Sequence, residues 1–433
     1  MNYLVLSSIT YWNQIILKLF DNFDPKKDLY DRIFICLLAL GFLLRIIWLD
    51  KPEGSLIFDE KYYVNIARII LKLPHDPDVY EGATLGLDPN QEHPFLAKGI
   101  IALSISLLGD NAWGWRIPSV ILGTLSIFLF YLLIKKLSNK NELALLSAFL
   151  MTFSNLIFVH SRIATLDIFM LFFMLLGFYW YFTNKIFLSS FALALSTMSK
   201  LNGMFGFFTI IIFHFVFSFF ESRKYGKKFN WTKTLNWVGR YSIIYFVSVF
   251  LLFLLLDWFW VGYKNPFDHL AYIYNYNMAL TREVLEDIES YPWQWLLNEV
   301  RIPYLIVNVD VSSDSQVIET YTSVAFQGVM NPFIIFLAIP SIIYSAYTAI
   351  KIYDKTALFA VILFSTIYLP YYPASLISHR IMYLFYFLPT IPSICIAISN
   401  IFAYQRSLRI IFLIYAIAVI IGFAFLFPFK TFP

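Results

Sequence analysis

Long apolar stretches recur along almost the whole chain, and they constrain the fold more than any other feature. Of the 433 residues, 59% are hydrophobic and 14% are charged, whereas soluble domains carry about 25% charged residues. A membrane-spanning helix needs about 20 mostly apolar residues. Eleven stretches approach that length: 33–49, 117–134, 143–159, 168–182, 186–198, 204–220, 241–260, 332–350, 357–371, 381–399 and 410–427. The sequence therefore predicts an all-α polytopic membrane protein with about eleven transmembrane helices.

The stretch 95–108 is ambiguous, because counting it as a twelfth span would reverse the side of every later loop. Its length of about 14 residues is nearer to an interfacial helix than to a span. Lys and Arg prefer cytoplasmic loops, and reversal would place outside the basic residues Lys135, Lys136, Lys140, Arg223, Lys224, Lys227, Lys228 and Lys233. We therefore predict an interfacial helix at 95–108, a cytoplasmic N-terminus and an outer C-terminus.

This topology divides the chain into four parts. They are a cytoplasmic segment 1–32, a transmembrane module 33–260 whose first outer loop 50–116 carries candidate catalytic residues, a second large outer loop 261–331, and C-terminal transmembrane helices 332–433. The basic residues lie at predicted helix ends, so they do not indicate a nucleic-acid partner. The first 20 residues lack the basic region and cleavage site of a signal peptide, and no cleaved signal is predicted.

The acidic pair Asp59-Glu60 directly follows the first apolar stretch. A carboxylate beside low-dielectric lipid can have a raised pKa and accept the proton of a hydroxyl group, which suits a general base. An acidic residue is also favoured at the start of a helix, and the segment 60–71 is a candidate helix. The residues alone support both interpretations equally.

Several cations lie at one predicted depth, near the outer ends of the apolar stretches. Arg offers bidentate contacts to a phosphate and Lys offers a point charge. Anchoring of helix ends at the interface explains each of them equally well. The candidate ligands of an anionic lipid headgroup are Arg45, Lys98, Arg116, Lys200 and Arg380.

Other polar and aromatic residues of the outer loops also have two interpretations. Asp167 could be a second active-site carboxylate facing Asp59, or only a helix cap. Trp293 and Trp295 could stack on a sugar, or belong to the aromatic belt of the interface. His93 follows Glu92, but no spacing of histidines suits zinc, so the sequence predicts no metal and no other cofactor.

Taken in order, these motifs resemble those of the protein O-mannosyltransferases, members of the GT-C superfamily that use a polyprenyl-phosphate sugar. The similar positions are Asp59-Glu60, the HPxLxK-like segment 93–98, Arg116, Ser161-Arg162, Leu166-Asp167, Ser199-Lys200, Gly203, Ser290, 292–295, Gly328 and Asn331-Pro332. The family is similar in having eleven spans. The usual double proline after the histidine is Pro94-Phe95 here, and the loop 261–331 is too short for the lectin-like domain of eukaryotic members. The resemblance therefore favours a prokaryotic enzyme, with an archaeal cell membrane as the expected location.

The resemblance implies an inverting glycosyltransferase that moves mannose, or a related hexose, from a dolichyl- or polyprenyl-phosphate donor to Ser/Thr hydroxyls of proteins. Asp59, with Glu60 beside it in the catalytic centre, would deprotonate the acceptor hydroxyl, and the cations above would hold the donor phosphate. The family implies no metal, and a dimer is one assembly state that the sequence leaves open. Residues that would position the acceptor or the sugar are Glu92, His93, Arg162, Asp167, Trp293 and Trp295.

Two alternatives remain at this point. The aminoarabinose transferases of lipid A have a similar first loop, with Lys where His93 stands, so a lipid or glycan acceptor is the runner-up. A transporter or lipid flippase is the third hypothesis, and only the hydrophobicity of the chain motivates it. Transporters more often bury ionisable residues near the middle of the membrane, whereas here they gather in the outer loops.

Overall fold

The structure is a computed structural model, and it describes residues 28–282, 288–313, 316–404 and 409–429. Residues 1–27 of the predicted cytoplasmic segment lie outside these ranges. The described chain is mostly helical and contains one antiparallel two-stranded sheet. Its elements are α1 Leu29–Ile46, α2 Glu60–Ile70, α3 Leu96–Leu108, α4 Ala112–Ser138, α5 Asn141–Thr152, α6 Asn155–His160, α7 Asp167–Phe182, α8 Ile186–Ser199, α9 Met204–Lys224, α10 Trp231–Leu256, α11 Pro266–Ala279, α12 Pro292–Leu296, β1 Ile302–Ser313, β2 Gln316–Gly328, α13 Pro332–Phe336, α14 Ala338–Lys351, α15 Lys355–Tyr368, α16 Tyr371–Leu376, α17 Ile391–Tyr404 and α18 Arg409–Phe425.

All eleven predicted apolar stretches contain helix, which confirms the predicted class of a helical, multi-pass membrane protein. Among the described residues, five helical segments are long and apolar enough to cross a membrane: Ala112–Ser138, Leu201–Lys224, Trp231–Val261, Lys355–Leu376 and Leu384–Ala403. Other predicted spans are shorter or broken, as where 143–159 divides into α5 and α6. The count of eleven spans therefore stays a prediction.

The ambiguous stretch forms α3, which has 13 residues. At 1.5 Å per residue this helix is about 20 Å long, against about 30 Å for the hydrocarbon core of a bilayer. It packs between α2 and α4. This length fits the predicted interfacial helix, whose place at the outer leaflet stays a prediction.

Local sequence sets where the long helices begin and end. The side chain of Asn111 accepts hydrogen bonds from the backbone N–H groups of Trp113 and Gly114 at the start of α4. Asp354 accepts one from Ala357 at the start of α15. Such side chains satisfy backbone donors that have no partner within the helix.

A glycine allows the turn after α6 to lie directly against α4. A Cβ atom on Gly123 would overlap the side chain of Ser161, and small residues at helix contacts let two backbones approach closely. This contact places the turn 161–166 next to the first outer loop. The turn then supplies a backbone N–H, that of Ala164, to the candidate site.

The second large outer loop contains an element that the sequence analysis did not assign. Strands β1 and β2 form an antiparallel hairpin whose register runs from Ile302 opposite Gly328 to Ser313 opposite Gln316. Tyr304, near the base of the hairpin, stacks on Phe58 with 4.0 Å between ring centroids. The hairpin therefore joins the second outer loop to the residue that precedes Asp59.

Candidate active site

The two carboxylates of the acidic pair have different surroundings at the start of α2. Phe58 precedes them with a left-handed φ of +54°. This conformation is unfavourable for a residue with a Cβ, by roughly 1–2 kcal/mol, and the stacking of Phe58 on Tyr304 holds it in place. The backbone thus turns sharply at Phe58, immediately before the two carboxylates.

Glu60 is fully buried and its carboxylate is saturated with hydrogen bonds. Oε1 accepts from Nε of Arg116 and from the backbone N–H of Ala164, both at 2.9 Å. Oε2 accepts from Nη2 of Arg116 at 2.8 Å and from the backbone N–H of Ile57 at 2.7 Å. Glu60 therefore connects α2, α4 and the turn 161–166. In this structure it has little acceptor capacity left for a substrate.

Arg116 is the partner of Glu60, and it is 1% exposed. Besides its two bonds to Glu60, it donates from Nη1 to the carbonyl oxygens of Leu49 at 2.7 Å and Lys51 at 2.9 Å, and from Nη2 to that of Ser55 at 3.0 Å. A guanidinium group has five N–H donors, and all five are used here. The structure places Arg116 as a brace for the chain between α1 and α2, with no donor free for a lipid phosphate.

Asp59 is only partly buried, and no group in the described ranges donates a hydrogen bond to its carboxylate. Burial raises the pKa of Asp59 from its ordinary 3.8 to about 7, with the charge of Lys200 lowering the pKa and that of Asp167 raising it. A carboxyl group with a pKa near 7 exchanges protons readily at neutral pH. Asp59, unlike its neighbour, is therefore free to accept a proton.

Asp167 and Lys200 form an ion pair close enough to Asp59 to affect its pKa. The Nζ atom of Lys200 lies 2.7 Å from Oδ1 of Asp167, and both side chains are nearly buried. The ammonium group also lies over the ring of Phe385, at 4.7 Å from its centroid. Asp167 begins α7 and Lys200 follows α8. Two helix ends thus bring to Asp59 the second carboxylate that the sequence predicted and one of the predicted cations.

Lys98 is fully buried and shapes the end of the first outer loop. Its Nζ atom lies 2.5 Å from Oδ2 of Asp88, and it donates to the carbonyl oxygens of Asn90 at 2.5 Å and His93 at 2.8 Å. These contacts close the loop 88–93 around the ammonium group. Like Arg116, Lys98 directs its donors to one carboxylate and to backbone carbonyl oxygens of the chain around it.

His93 and Arg380 border the same region as Lys200. Burial lowers the pKa of His93 well below 6.5, and the charges of Lys200, Lys98 and Arg380 lower it further. The imidazole is therefore neutral at neutral pH. Arg380 donates to the side-chain oxygen of Asn277 at 2.6 Å and keeps part of its surface exposed.

Glu92 accepts a hydrogen bond from the side-chain amide of Asn90. Its own side chain is partly exposed. Burial raises the pKa of Glu92 above its ordinary value, against the lowering effects of its hydrogen bonds and of the Lys98 charge. Glu92 thus stands next to His93 at the edge of the candidate site.

Arg45 and Arg162 are buried at the last turn of α1. Arg162 donates to the carbonyl oxygens of Leu44 at 3.3 Å and Ile47, and Arg45 donates to that of Gly41 at 2.9 Å. Both guanidinium groups lie over the ring of Phe158. A cation near the C-terminal end of a helix is favourable, so their surroundings suit a structural role.

The two predicted tryptophans differ in exposure. Trp295 is fully buried and donates from Nε1 to Oγ of Ser290 at 2.9 Å. Trp293 is partly exposed and stacks on Tyr291 with 4.5 Å between ring centroids. Trp293 therefore keeps a surface that could meet a ligand, whereas Trp295 fixes the loop.

His160 and Tyr304 are polar residues of this site to which the sequence analysis gave no role. Nε2 of His160 lies 2.8 Å from the hydroxyl of Tyr304, and Nδ1 lies 3.1 Å from Oγ1 of Thr165 and 3.7 Å from Oδ2 of Asp167. Burial lowers the pKa of His160 to about 4. His160 ends α6 and Asp167 begins α7 after a short turn, so the nearness of His160 to a predicted site residue in the sequence was a usable signal. Tyr304 is 144 residues from His160, and no local pattern connects them.

The described residues contain no group of three or more His, Cys, Asp or Glu side chains that could hold a metal ion. The site instead combines a free carboxylate, an ion pair, a neutral imidazole and a partly exposed guanidinium. Such a set can accept a proton and stabilise a nearby anion without a metal.

Residues 92–238 match the model of a family described as dolichyl-phosphate-mannose-protein mannosyltransferase. Among curated proteins, the polyprenol-phosphate-mannose–protein mannosyltransferase of Corynebacterium glutamicum is 31% identical over 153 residues, which are 34% of this chain and 28% of the relative. The protein of that name from Mycolicibacterium smegmatis is 30% identical over 142 residues, 32% of this chain and 26% of the relative. The matches thus span little more than a quarter of each relative.

Solved structures share the fold over most of the chain. The protein O-mannosyltransferase Pmt1-Pmt2 complex of S. cerevisiae, bound to the sugar donor, aligns with a TM-score of 0.68 at 11% identity and covers 96% of this chain and 92% of that one. ArnT from Cupriavidus metallidurans, in the apo state, aligns with a TM-score of 0.55 at 16% identity and covers 86% of this chain and 60% of that one. The chain therefore shares its predicted helical fold with these two structures.

Proposed function

We propose that this chain, a GT-C membrane protein related to the protein O-mannosyltransferases, transfers mannose or a related hexose from a polyprenyl-phosphate donor to Ser/Thr hydroxyls of proteins. The observation that carries the proposal is the free Asp59 carboxylate with a pKa of about 7. A carboxylate that only stabilised the fold would be bonded as Glu60 is.

In this mechanism Asp59 takes the proton of the acceptor hydroxyl. The hydroxyl oxygen then attacks the anomeric carbon of the sugar from the side opposite the phosphate. A new carbon–oxygen bond forms as the bond to the phosphate oxygen breaks, so the configuration inverts. The bonding electrons leave with the polyprenyl phosphate, and Asp59 holds the proton until the product departs.

The leaving phosphate needs nearby positive charge, because preorganised cations stabilise developing negative charge best. We assign this role to Lys200 and Arg380, which both act electrostatically on His93. Of the five cations that the sequence offered, Arg116 and Lys98 use all their donors in and next to the first outer loop. Arg45 is fully buried on α1, and its Nε and Nη2 atoms have no hydrogen-bond partner among the described residues. We assign Arg116, Lys98 and Arg45 to positioning the loop and the last turn of α1.

An apolar groove between α9 and α15 suits the polyprenyl chain of the donor. It has a volume of about 620 Å³ and is lined by Phe205, Phe208, Ile212, Ile362, Ser365, Thr366, Leu369 and Pro370. The lining residue Phe205 packs edge-to-face on Tyr371, with 5.8 Å between ring centroids. The Tyr371 hydroxyl accepts a hydrogen bond from the Asn202 side chain at 3.1 Å. Asn202 follows Lys200 by two residues, so a lipid in the groove would carry its phosphate toward the proposed cations.

The proposed acceptor is a protein on the outer face of the cell membrane. Glu92 and His93 lie beside the site and would contact the acceptor or the sugar. Trp293 is a further candidate for this role, because part of its ring is exposed. The two curated relatives described above come from bacteria. The archaeal location stays a prediction from the sequence. The fold shared with ArnT keeps a lipid acceptor as the second candidate.

The direct test is transfer from polyprenyl-phosphate [³H]mannose to a Ser/Thr peptide, with an extracted membrane-lipid fraction as the competing acceptor. We expect labelled peptide, in buffer with EDTA because the proposed reaction needs no metal. A peptide in which each Ser and Thr is replaced by Ala is the control. Label that appears only in lipid would contradict the protein acceptor, and donor turnover with neither acceptor would contradict both.

The pH dependence of transfer should reveal the charges around Asp59. The carboxylate is the active form, so kcat/KM should rise with pH through about 7 and then level. Because Lys200 lowers the pKa of Asp59, Lys200→Gln should move this rise to higher pH, by about one unit. Asp167 raises the pKa, so Asp167→Asn should move it to lower pH. The midpoint of the profile is the measurement, since it does not depend on how far each variant lowers the maximal rate. Equal shifts of both variants in one direction would contradict Asp59 as the titrating base.

A further inference from the structure

A second cavity lies at the far end of α9 from the candidate active site, and it has no part in the mechanism above. Its volume is about 750 Å³, within the usual range of ligand sites. Lys200 precedes α9, whereas the last residues of α9 line the cavity. The 21 residues of α9 rise by about 30 Å, so about one membrane thickness separates the two sites.

Four lysines give this basic cavity its charge: Lys227, Lys228, Lys233 and Lys355. Of the described lining residues, Glu221 is the one with a carboxylate. No ion pair in the described ranges involves any of the four lysines. The first three are exposed, and Lys355 is half-buried with its ammonium group over the rings of Phe182 and Phe217, at 5.0 and 4.9 Å from their centroids.

Three helices begin at the basic cavity, and their first residues contribute to its lining. They are α8, which starts at Ile186, α10, which follows Asn230, and α15, which starts at Lys355. The N-terminal end of a helix carries a partial positive charge and free N–H groups. No side chain caps the start of α8. Asn230 and Asp354 cap the other two helices through their side chains. The start of α8 is therefore the helix end whose backbone N–H groups add to the attraction of the lysines for an anion.

One wall of the cavity is made of aromatic rings that contact each other. His214 stacks on Trp237 with 3.6 Å between ring centroids, and its Nδ1 atom lies 3.0 Å from the hydroxyl of Tyr181. Trp237 in turn stacks on Tyr241 at 4.8 Å. These stacked rings offer an apolar surface beside the ammonium groups.

We propose that the basic cavity binds a phosphate monoester, either as the headgroup of an anionic lipid or as a small soluble ester. A phosphate carries close to two negative charges and several acceptor oxygens, which can meet several ammonium groups at once. The three exposed lysines would meet the phosphate at the mouth, and Lys355 would meet it from the floor. The proposal does not depend on the transfer reaction, because none of these residues touches the candidate active site.

The test compares two charge-matched double variants of the full-length protein. K228Q/K355Q removes one lysine from each side of the basic cavity. K224Q/K351Q removes two exposed lysines from the same two chain segments, outside the lining. Binding of phosphatidic acid against phosphatidylcholine is measured by native mass spectrometry, and binding of glycerol 3-phosphate by calorimetry. Thermal unfolding checks that both variants are folded.

We expect the cavity variant to bind at least one of the two phosphate probes about tenfold more weakly than the wild type, since each lysine contributes appreciably to anion binding at a membrane surface. The control variant should bind nearly as the wild type does. An effect on phosphatidic acid alone would support a lipid ligand, and an effect on glycerol 3-phosphate alone would support a soluble one. The proposal would be overturned if the two variants lost equal affinity. It would also be overturned if the wild type did not prefer phosphatidic acid over phosphatidylcholine and did not bind glycerol 3-phosphate.

Discussion

Asp59→Asn is expected to lower kcat for sugar transfer by about 10²–10⁴-fold, the usual contribution of a general base. Asn has nearly the same shape as Asp but cannot take the proton of the acceptor hydroxyl. The KM for the lipid donor should change little, because the donor phosphate is assigned to Lys200 and Arg380. The measurement is the rate of transfer to a Ser/Thr peptide at saturating donor. A wild-type rate in this variant would remove Asp59 from the mechanism.

The same substitution is expected to keep or raise the stability of the folded protein. A loss of activity in this variant would therefore not be explained by misfolding. The pKa of Asp59 is about 7 in the folded protein and 3.8 ordinarily. The folded state therefore holds the proton more tightly, and stability falls as the pH rises from about 4 to about 7. Asn carries no charge, so the stability of the variant does not fall in this way as the pH rises. At pH 8 the variant should melt at the same temperature as the wild type or higher, and a lower melting temperature would contradict the desolvated carboxylate.

The helical architecture could be predicted from the sequence because burial in a membrane depends on local composition. Each apolar stretch predicted a helix, and each contains one. Capping residues such as Asn111 and Asp354 also act locally. The pairing within the hairpin β1–β2 is local, and the alternation of apolar and polar residues over 307–311 was a usable signal for it. The stacking of Tyr304 on Phe58 could not be predicted, because it joins residues far apart along the chain.

The sequence named candidate site residues, which stay predictions, but it could not divide the roles among them. Residue type shows that Arg116 and Lys98 are cations, but the number of donors left free depends on the fold. Glu60 meets Arg116 across 56 residues and Ala164 across 104. Those contacts are invisible in the local sequence, so Asp59 and Glu60 looked equivalent there. The structure distinguishes them, because one carboxylate is saturated and the other is free.

Arg116→Ala is expected to destabilise the folded protein by about 3–5 kcal/mol, because it leaves the buried Glu60 carboxylate without its cation. Three backbone carbonyl oxygens, those of Leu49, Lys51 and Ser55, also lose their donor. The measurement is the apparent melting temperature in detergent, followed by tryptophan fluorescence. Glu60→Gln should lower it too, since the amide cannot accept from both nitrogen atoms of Arg116 and from two backbone N–H groups.

The matched control is the more exposed ion pair of Arg68 with Asp110, whose atoms lie 2.9 Å apart with 18% and 29% of the side chains exposed. Its removal by Arg68→Ala should alter stability by no more than about 1 kcal/mol. Arg116→Lys provides the decisive comparison, because it keeps the charge but cannot reproduce five donors in a planar fork. If Arg116 is a brace, the Lys variant melts early and its folded fraction binds donor normally. If it melts like the wild type but needs far more donor for half-maximal rate, then Arg116 binds the phosphate, as the sequence predicted, and the assignment of that role to Lys200 and Arg380 is incomplete.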